Sequence, residues 1–547
     1  MAFFSVSFLQ FIAFSFFLIP HALSSPTKSL TEAKNGKCCV FPPLIKATAE
    51  QLQAGLAARC YTSVHIVQAY LDRIKEVNGI LRPVAEINPD ALKIAADLDN
   101  ERACKKLRGP LHGLPVLIKG NIGTNDKLQT TAGSTILLNS TLYEDATVAK
   151  KLREAGIIIL GKTGLSQWSN FRGQIPNGWS AFGGRVYAAY SPNQDPSGSS
   201  SGSGVASDLG LAWATLGTET IGSIVSPAEM SNVVGVKPTV GLTSRHLVIP
   251  IAAYQDTVGP MTRTVKDAAF LLQAIAGKDA KDKFTSEIPS IPDYVAACKR
   301  GALKGKRLGV PSNVLRVPTQ GREADAIFEK GLKDLEKAGA IIVQDVKYED
   351  TAETQLTELL DPLLGADFNK ALPDYLKQLK SNPNNLRTVS DIRRVTQKSP
   401  KENYPEYNTS SWDAAIKLGY DSTSPKFQEM RKKAVKLTED GCILRAIKKY
   451  KLDGLVLPTA MSPLVPGVYG SPIITVPIGS TPVASNSTDK STGFVRPVGI
   501  AFFAERWSEE KLFGFAYDFE QVTQVRDTLK RYIEPKAGLK EQRRKSK

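Results

Sequence analysis

The run Ser199-Ser200-Ser201-Gly202-Ser203, with the turn Thr218-Glu219-Thr220-Ile221-Gly222-Ser223 ending 24 residues after Ser199, holds the residue types of an acyl-transfer site. Serines and glycines packed this densely let hydroxyls and backbone N–H groups crowd around one reacting carbonyl, since no large side chain keeps the backbone away. Lys119, in Gly113-Leu-Pro-Val-Leu-Ile-Lys119-Gly-Asn, can supply the base. Ser-Gly-Ser-Ser-Ser-Gly-Ser-Gly is also the composition of a flexible linker. A linker separates self-contained units, however, and here the apolar, helix-compatible stretch Val205 to Leu216 follows at once and leads into the second turn.

These residues need elements to hold them. Residues 46–106 read as helical: Thr48 caps a helix through Gln51, Thr62-Ser63 precede an apolar-periodic run to Leu81, and Asn88-Pro89-Asp90 starts another. From Leu114 to about Ile275, short apolar runs such as Pro115–Ile118 and Gly156–Gly161 alternate with helical patterns. That alternation predicts an α/β fold with a mostly parallel sheet covered on both faces. Residues 345–450 are Lys-rich and helix-patterned, with no strand-like apolar run between Val343 and Cys442, and read as a helical excursion over the core. Strands resume at Gly454–Leu457 and Ile473–Val476, so the excursion is an insertion and residues 25–535 form a single domain. Ala484–Gly493 reads as a loop before Val498–Phe502, and the basic segment 536–547 as a flexible tail.

The chain has 547 residues, 42% of them hydrophobic, enough for a sizeable core. Its net charge of +16 is scattered, with clusters only at 426–436 and 536–547, so a solvated basic face is expected rather than a nucleic-acid surface. Residues 1–24, with an apolar stretch Phe8–Ile19 and a small-x-small ending Ala22-Leu-Ser24, are predicted to be a signal peptide. A dozen apolar residues is short for a bilayer span, so secretion is expected and stable membrane insertion is not. In an oxidising compartment the six cysteines can pair in many ways, and no connectivity follows. Neither cysteine spacing nor the few histidines suggests a metal site, and no cofactor is expected. Sequons at Asn139, Asn408 and Asn486 are no more than chance supplies; a glycoprotein is compatible with them and does not follow from them.

Pro196-Ser-Gly-Ser-Ser-Ser-Gly-Ser203, Gly217-Thr-Glu-Thr-Ile-Gly-Ser-Ile224 and Gly235-Val-Lys-Pro-Thr-Val-Gly241 together resemble the amidase signature family. The pattern continues in His112–Lys119, Thr130–Ser134, Gly161–Thr163, Gln255–Arg263 and Ser471–Gly479, so the resemblance spans roughly 45–530. The Glu-Thr-x-Gly-Ser-Ile turn, with Val225 where many members have Arg, looks most like bacterial peptide amidases and their plant relatives. The resemblance implies that Ser223 is the nucleophile, Ser199 a bridging serine held by a cis peptide, and Lys119 the base of a Ser-Ser-Lys triad. Backbone N–H groups of Thr220, Ile221, Gly222 and Ser223 would form the oxyanion hole, with Ser200 beside them. A lysine near its ordinary value of about 10.4 is a poor base at neutral pH. Burial beside Val116, Leu117 and Ile118 would lower it. The expected partner is a small-molecule or peptide amide.

Four positions depart from the family pattern: Gly120 for a usual Asp, Gly164 for Asn, Gln167 for Glu, and Ile221 for Gly or Asp. Ile221 weighs most, because a β-branched residue is costly if that position needs positive φ. The departures keep two other readings open: an acyltransferase that passes the acyl group to something other than water, and a ligand-binding homologue without turnover.

Overall fold

Strands Pro115–Lys119, Ile158–Thr163 and Ala214–Glu219 are buried at every position, as a sheet covered on both faces requires. They belong to an 11-stranded sheet in the computed structural model, which describes residues 39–315, 322–483 and 493–545. Counting only the strands of this sheet, they are β1 (Val84–Ile87), β2 (Pro115–Lys119), β3 (Ile158–Thr163), β4 (Ala214–Glu219), β5 (Val234–Lys237) and β6 (Thr257–Thr262), followed by β7 (Arg307–Pro311), β8 (Ile341–Val346), β9 (Gly454–Pro458), β10 (Ile473–Pro482) and β11 (Val495–Phe503). The spatial order is β1-β3-β2-β4-β6-β5-β10-β11-β9-β7-β8. The sheet is mixed: β3-β2-β4 and β9-β7-β8 run parallel, and the strands between them pair antiparallel.

Ahead of the sheet, Thr48 closes a capping box with Gln51 on helix Ala49–Ala57, Thr62 caps Ser63–Leu81, and Ala91–Ala103 follows Asp90. One element was not legible there: β1 lies inside the stretch expected to be wholly helical. Arg82 turns left-handed at φ 52° and Pro83 cannot continue the helix, so the next four residues pair with the free edge of β3. Four residues are too few to show an alternation.

Phe41–Lys547 forms one compact unit that includes residues 345–450. The excursion is helical at Ala352–Leu376, Val389–Lys398, Ser410–Leu418, Pro425–Lys436 and Ile443–Tyr450. A short strand, Leu379–Ser381, interrupts it and pairs with Thr141–Leu142. Residues 536–545, expected to be a flexible tail, are instead docked. Leu539 is buried, Arg73 donates to Ala537 O at 2.9 Å, Gln542 donates to Asp72 at 2.6 Å, and Leu539–Lys545 is helical. The apolar Leu539 and the buried Arg73 outweigh the basic composition that suggested fraying.

Of the N-terminal unit, residues 1–40, only Cys39 and Val40 are described, and Cys39 is disulfide-bonded. Cys60 is also disulfide-bonded, whereas Cys104, Cys298 and Cys442 are free thiols. The expected signal peptide 1–24 and nearly all of the expected loop 484–493 lie outside the described residues. Among the described residues no helix is long and apolar enough to cross a membrane.

Candidate active site

The Gly/Ser run is no linker. Ser201–Asp208 is a helix buried at every residue, and it packs against β4 and helix Val225–Met230. Its small residues make that approach possible: a Cβ on Gly202 would stand 2.3 Å from Pro83 O and 2.5 Å from Gly164 O. Ser203 ties the helix to the sheet by donating to Leu216 O at 3.0 Å and sharing a 2.7 Å hydrogen bond with Thr163.

Lys119 ends β2, and β4 lies parallel beside it with Ile118 opposite Leu216, so the lysine emerges next to Thr218 at the carboxyl ends of adjacent parallel strands. Open α/β sheets place their ligand sites there. Lys119 is fully buried, and its Nζ reaches Ser199 Oγ at 2.8 Å, Thr218 Oγ1 at 2.9 Å and Thr218 O at 3.1 Å. Asn121 Nδ2 also donates to Thr218 Oγ1, at 3.1 Å. Burial pulls the Lys119 ammonium down to about 7, against the opposing charges of Asp256 and Glu219. A neutral amine has two N–H bonds and one lone pair. Thr218 offers two oxygens to the first, and the Ser199 hydroxyl can donate to the second.

The peptide Gly198–Ser199 is cis. Ser200 N donates to Ser223 O at 3.1 Å, which draws the two serine motifs together. Among the described residues no hydrogen bond joins Ser199 Oγ to Ser223 Oγ. Ser223 keeps 8% of its surface exposed while Ser199, Ser200 and Ser201 keep none, so it is the serine of this group that a substrate can reach.

Two of the anticipated oxyanion residues are otherwise engaged. Ser200 Oγ donates to Thr218 O at 3.0 Å and accepts from Thr218 N at 3.2 Å, so it braces the motif. Gly222 N donates to Glu219 Oε1 at 2.7 Å, while Glu219 Oε2 accepts from Ile224 N at 2.6 Å and Val225 N at 2.9 Å. The buried Glu219 carboxylate thus folds the turn around itself. Burial raises its pKa and Lys237 opposes that rise; Lys237, buried in turn, is drawn down to about 8. In this turn the N–H groups of Thr220, Ile221 and Ser223 meet no acceptor among the described residues, which leaves them open to a substrate oxygen. The left-handed residue is Gly222, at φ 79°, and Ile221 is not left-handed. The steric objection to Ile221 therefore falls away. Its side chain packs on the apolar core, and a Cβ on Gly467 would stand 2.8 Å from its Cγ1.

An amidase family model matches residues 65–513. This chain belongs to the amidase family. A protein named as an amidase in Arthroderma benhamiae is 53% identical over 532 residues, spanning 92% of this chain and 90% of its own. The native peptide amidase from Stenotrophomonas maltophilia superposes with a TM-score of 0.81 at 36% identity, covering 90% of this chain and 99% of its own. A peptide amidase in complex with the competitive inhibitor chymostatin gives the same TM-score at 37% identity, over 88% and 98%. The fold is that of these enzymes, and the chain is an amide hydrolase.

The other departures of this amidase each have a local counterpart. A Cβ at Gly120 would meet Leu165 Cδ2 and Thr163 O, both at 3.2 Å, and one at Gly164 would meet Val186 Cγ2 at 2.8 Å. Gln167 Nε2 donates to Glu402 Oε2, and Glu402 is a fully buried carboxylate contributed by the excursion. Glu402 also pairs with buried Arg172 at 3.2 Å and accepts from Ser134 Oγ (2.9 Å), Thr135 N (2.8 Å) and Thr135 Oγ1 (2.6 Å). A glutamate at position 167 would face this carboxylate directly; the neutral amide donates to it instead. Glu219 lay inside a recognised motif, but nothing in the sequence pointed to Glu402, which lies 230 residues beyond its ion-pair partner Arg172.

Proposed function

We propose that this amidase cleaves a carboxylic amide through an acyl-enzyme on Ser223, with Ser199 relaying protons and Lys119 as the base. The observation that carries this reading is the 2.8 Å contact between Lys119 Nζ and Ser199 Oγ, made by a buried amine that titrates at about 7. Neutral Lys119 takes the Ser199 proton as Ser199 takes that of Ser223, and Ser223 Oγ bonds to the substrate carbonyl carbon. The N–H groups of Ile221 and Ser223 receive the oxyanion. Collapse breaks the C–N bond, the departing nitrogen takes its proton from Ser199 as Ser199 recovers one from the Lys119 ammonium, and water then repeats the sequence on the ester to release acid.

The likeness to peptide amidases supports a peptide amide as substrate. The apolar stretch Phe8–Ile19 and the disulfide-bonded Cys39 and Cys60 support passage through an oxidising, secretory route. N-terminal sequencing of secreted protein is expected to begin near Ser25 or Pro26, and an intact Met1 terminus would contradict it. For the chemistry, a fluorophosphonate probe is expected to label Ser223 in wild type and not in Ser223→Ala, with release of ammonia or amine from peptide amides lost in parallel. Folded wild type that neither labels nor turns over any amide in a peptide, fatty and aryl panel would favour the ligand-binding reading. Transfer of the acyl group to an added amine in preference to water would favour the acyltransferase.

A further inference from the structure

The nucleophile turn has a second anchor. Asp256 immediately precedes β6, whose ladder pairs Thr257 with Glu219 at the point where the turn begins. Its Oδ1 accepts from Thr220 Oγ1 at 2.6 Å, and its Oδ2 accepts from Ile251 N at 2.8 Å and Ala252 N at 3.1 Å. Both carboxylate oxygens are thus used, one on the turn and one on the adjoining loop. Arg245 holds the same residue from behind, donating to Asp256 O at 2.9 Å, while the Arg245 charge is paired with Asp282. Burial raises the Asp256 carboxyl, and the hydrogen bonds from Thr220, Ile251 and Ala252 together with the Arg245 charge oppose that rise; the Asp256 charge acts in turn on Lys119 of β2 and on Asp367 of helix Ala352–Leu376, which accepts from Tyr254 N at 3.2 Å.

We propose that Asp256 is a positioning residue for the reaction: its grip on Thr220 aims the N–H groups of Ile221 and Ser223, and its negative charge acts on the Lys119 amine across the turn. This rests on the amidase reading above. The two roles are separable by chemistry. Thr220→Val removes the grip and leaves the charge. Asp256→Asn removes the charge yet keeps a grip, because the amide oxygen can face Ile251 and Ala252 while its N–H faces Thr220 Oγ1.

The base must be neutral, so rate rises with pH as Lys119 loses its proton. Asp256 favours the ammonium, so its neutralisation moves that limb to lower pH. The rate of fluorophosphonate labelling at Ser223, followed across pH, reads both effects without a known substrate. Thr220→Val is expected to label roughly tenfold to a hundredfold more slowly with the acid limb in place, and Thr220→Ser, which keeps the hydroxyl, to recover most of the rate. Asp256→Asn is expected to shift the limb down by on the order of half a pH unit. A limb that stays or moves up in Asp256→Asn overturns the electrostatic role; a Thr220→Val rate equal to wild type overturns the grip. Should Asp256→Asn fail to fold, equal rates in the two Thr220 variants overturn the proposal and unequal rates support it. Folded wild type that neither labels nor hydrolyses defeats the amidase reading and this role with it, whereas a labelled wild type with unaffected variants defeats this role alone.

Discussion

This protein buries two charged clusters that differ in how the charge is met. At Arg172 and Glu402 a full ion pair is formed, and Gln167, Ser134 and Thr135 complete the carboxylate's hydrogen bonds. At Lys119 no carboxylate among the described residues is within hydrogen-bond reach; there the amine touches only neutral oxygens of Ser199 and Thr218. A buried cation with no counterion in contact gives up its proton readily, while a buried carboxylate met by an ion pair and several hydrogen bonds resists change. The first arrangement suits proton transfer. The second suits holding a helical excursion against the core.

The largest effect expected from this contrast is functional. Lys119→Met is predicted to lower Ser223 labelling and any amide turnover by on the order of 10⁴-fold, with an unfolding midpoint equal to or above that of wild type, because a desolvated amine is replaced by an apolar chain of similar length. Glu402→Ala should do the reverse. It strands Arg172 and four hydroxyl or N–H donors in the interior, a loss of about 3–5 kcal/mol, while folded molecules keep most of their labelling rate; urea titration beside the labelling assay checks both. If Glu402→Ala lost activity as completely as Lys119→Met, or Lys119→Met unfolded as easily as Glu402→Ala, the distinction between the clusters would collapse.

A third expectation sharpens the Lys119 side. Because burial draws its pKa to about 7, kcat/KM should rise with pH through that value and level off above it, and activity should fall as the amine is protonated on the acid side. A limb near the ordinary lysine value would mean that this amine is not the base. The smallest effect is assigned to Ile221. Its backbone is not left-handed and its side chain packs on the apolar core, so Ile221→Ala should cost about 1–2 kcal/mol of stability and alter kcat by less than about tenfold. A larger change in selectivity across peptide, fatty and aryl amides would give Ile221 a place in the substrate pocket.

Much of the site was legible because its parts are local. Small residues in two short runs, an apolar strand ending in lysine, and the capping residues Thr48 and Thr62 act within a few positions of themselves, so their chemistry can be read along the chain. The turn from Thr218 to Ser223 was legible only in outline. Which N–H groups stay free depends on the Glu219 carboxylate folding back three to six residues, and on Gly222 rather than Ile221 taking the left-handed conformation. β1 escaped notice because four residues carry no period of their own and are strand only where β3 offers an edge.

By itself, then, the sequence determined the two runs of small residues and the apolar strand that ends in Lys119, the alternation that makes an α/β core, and the place where a helical excursion enters it. Tertiary structure alone decided that Lys119 is buried against Ser199 and Thr218, that Asp256 grips Thr220 from 36 residues away, and that Glu402 crosses 230 residues to meet Arg172. Desolvation and ion pairing depend on what surrounds a group from every direction, and a chain specifies only its neighbours along one.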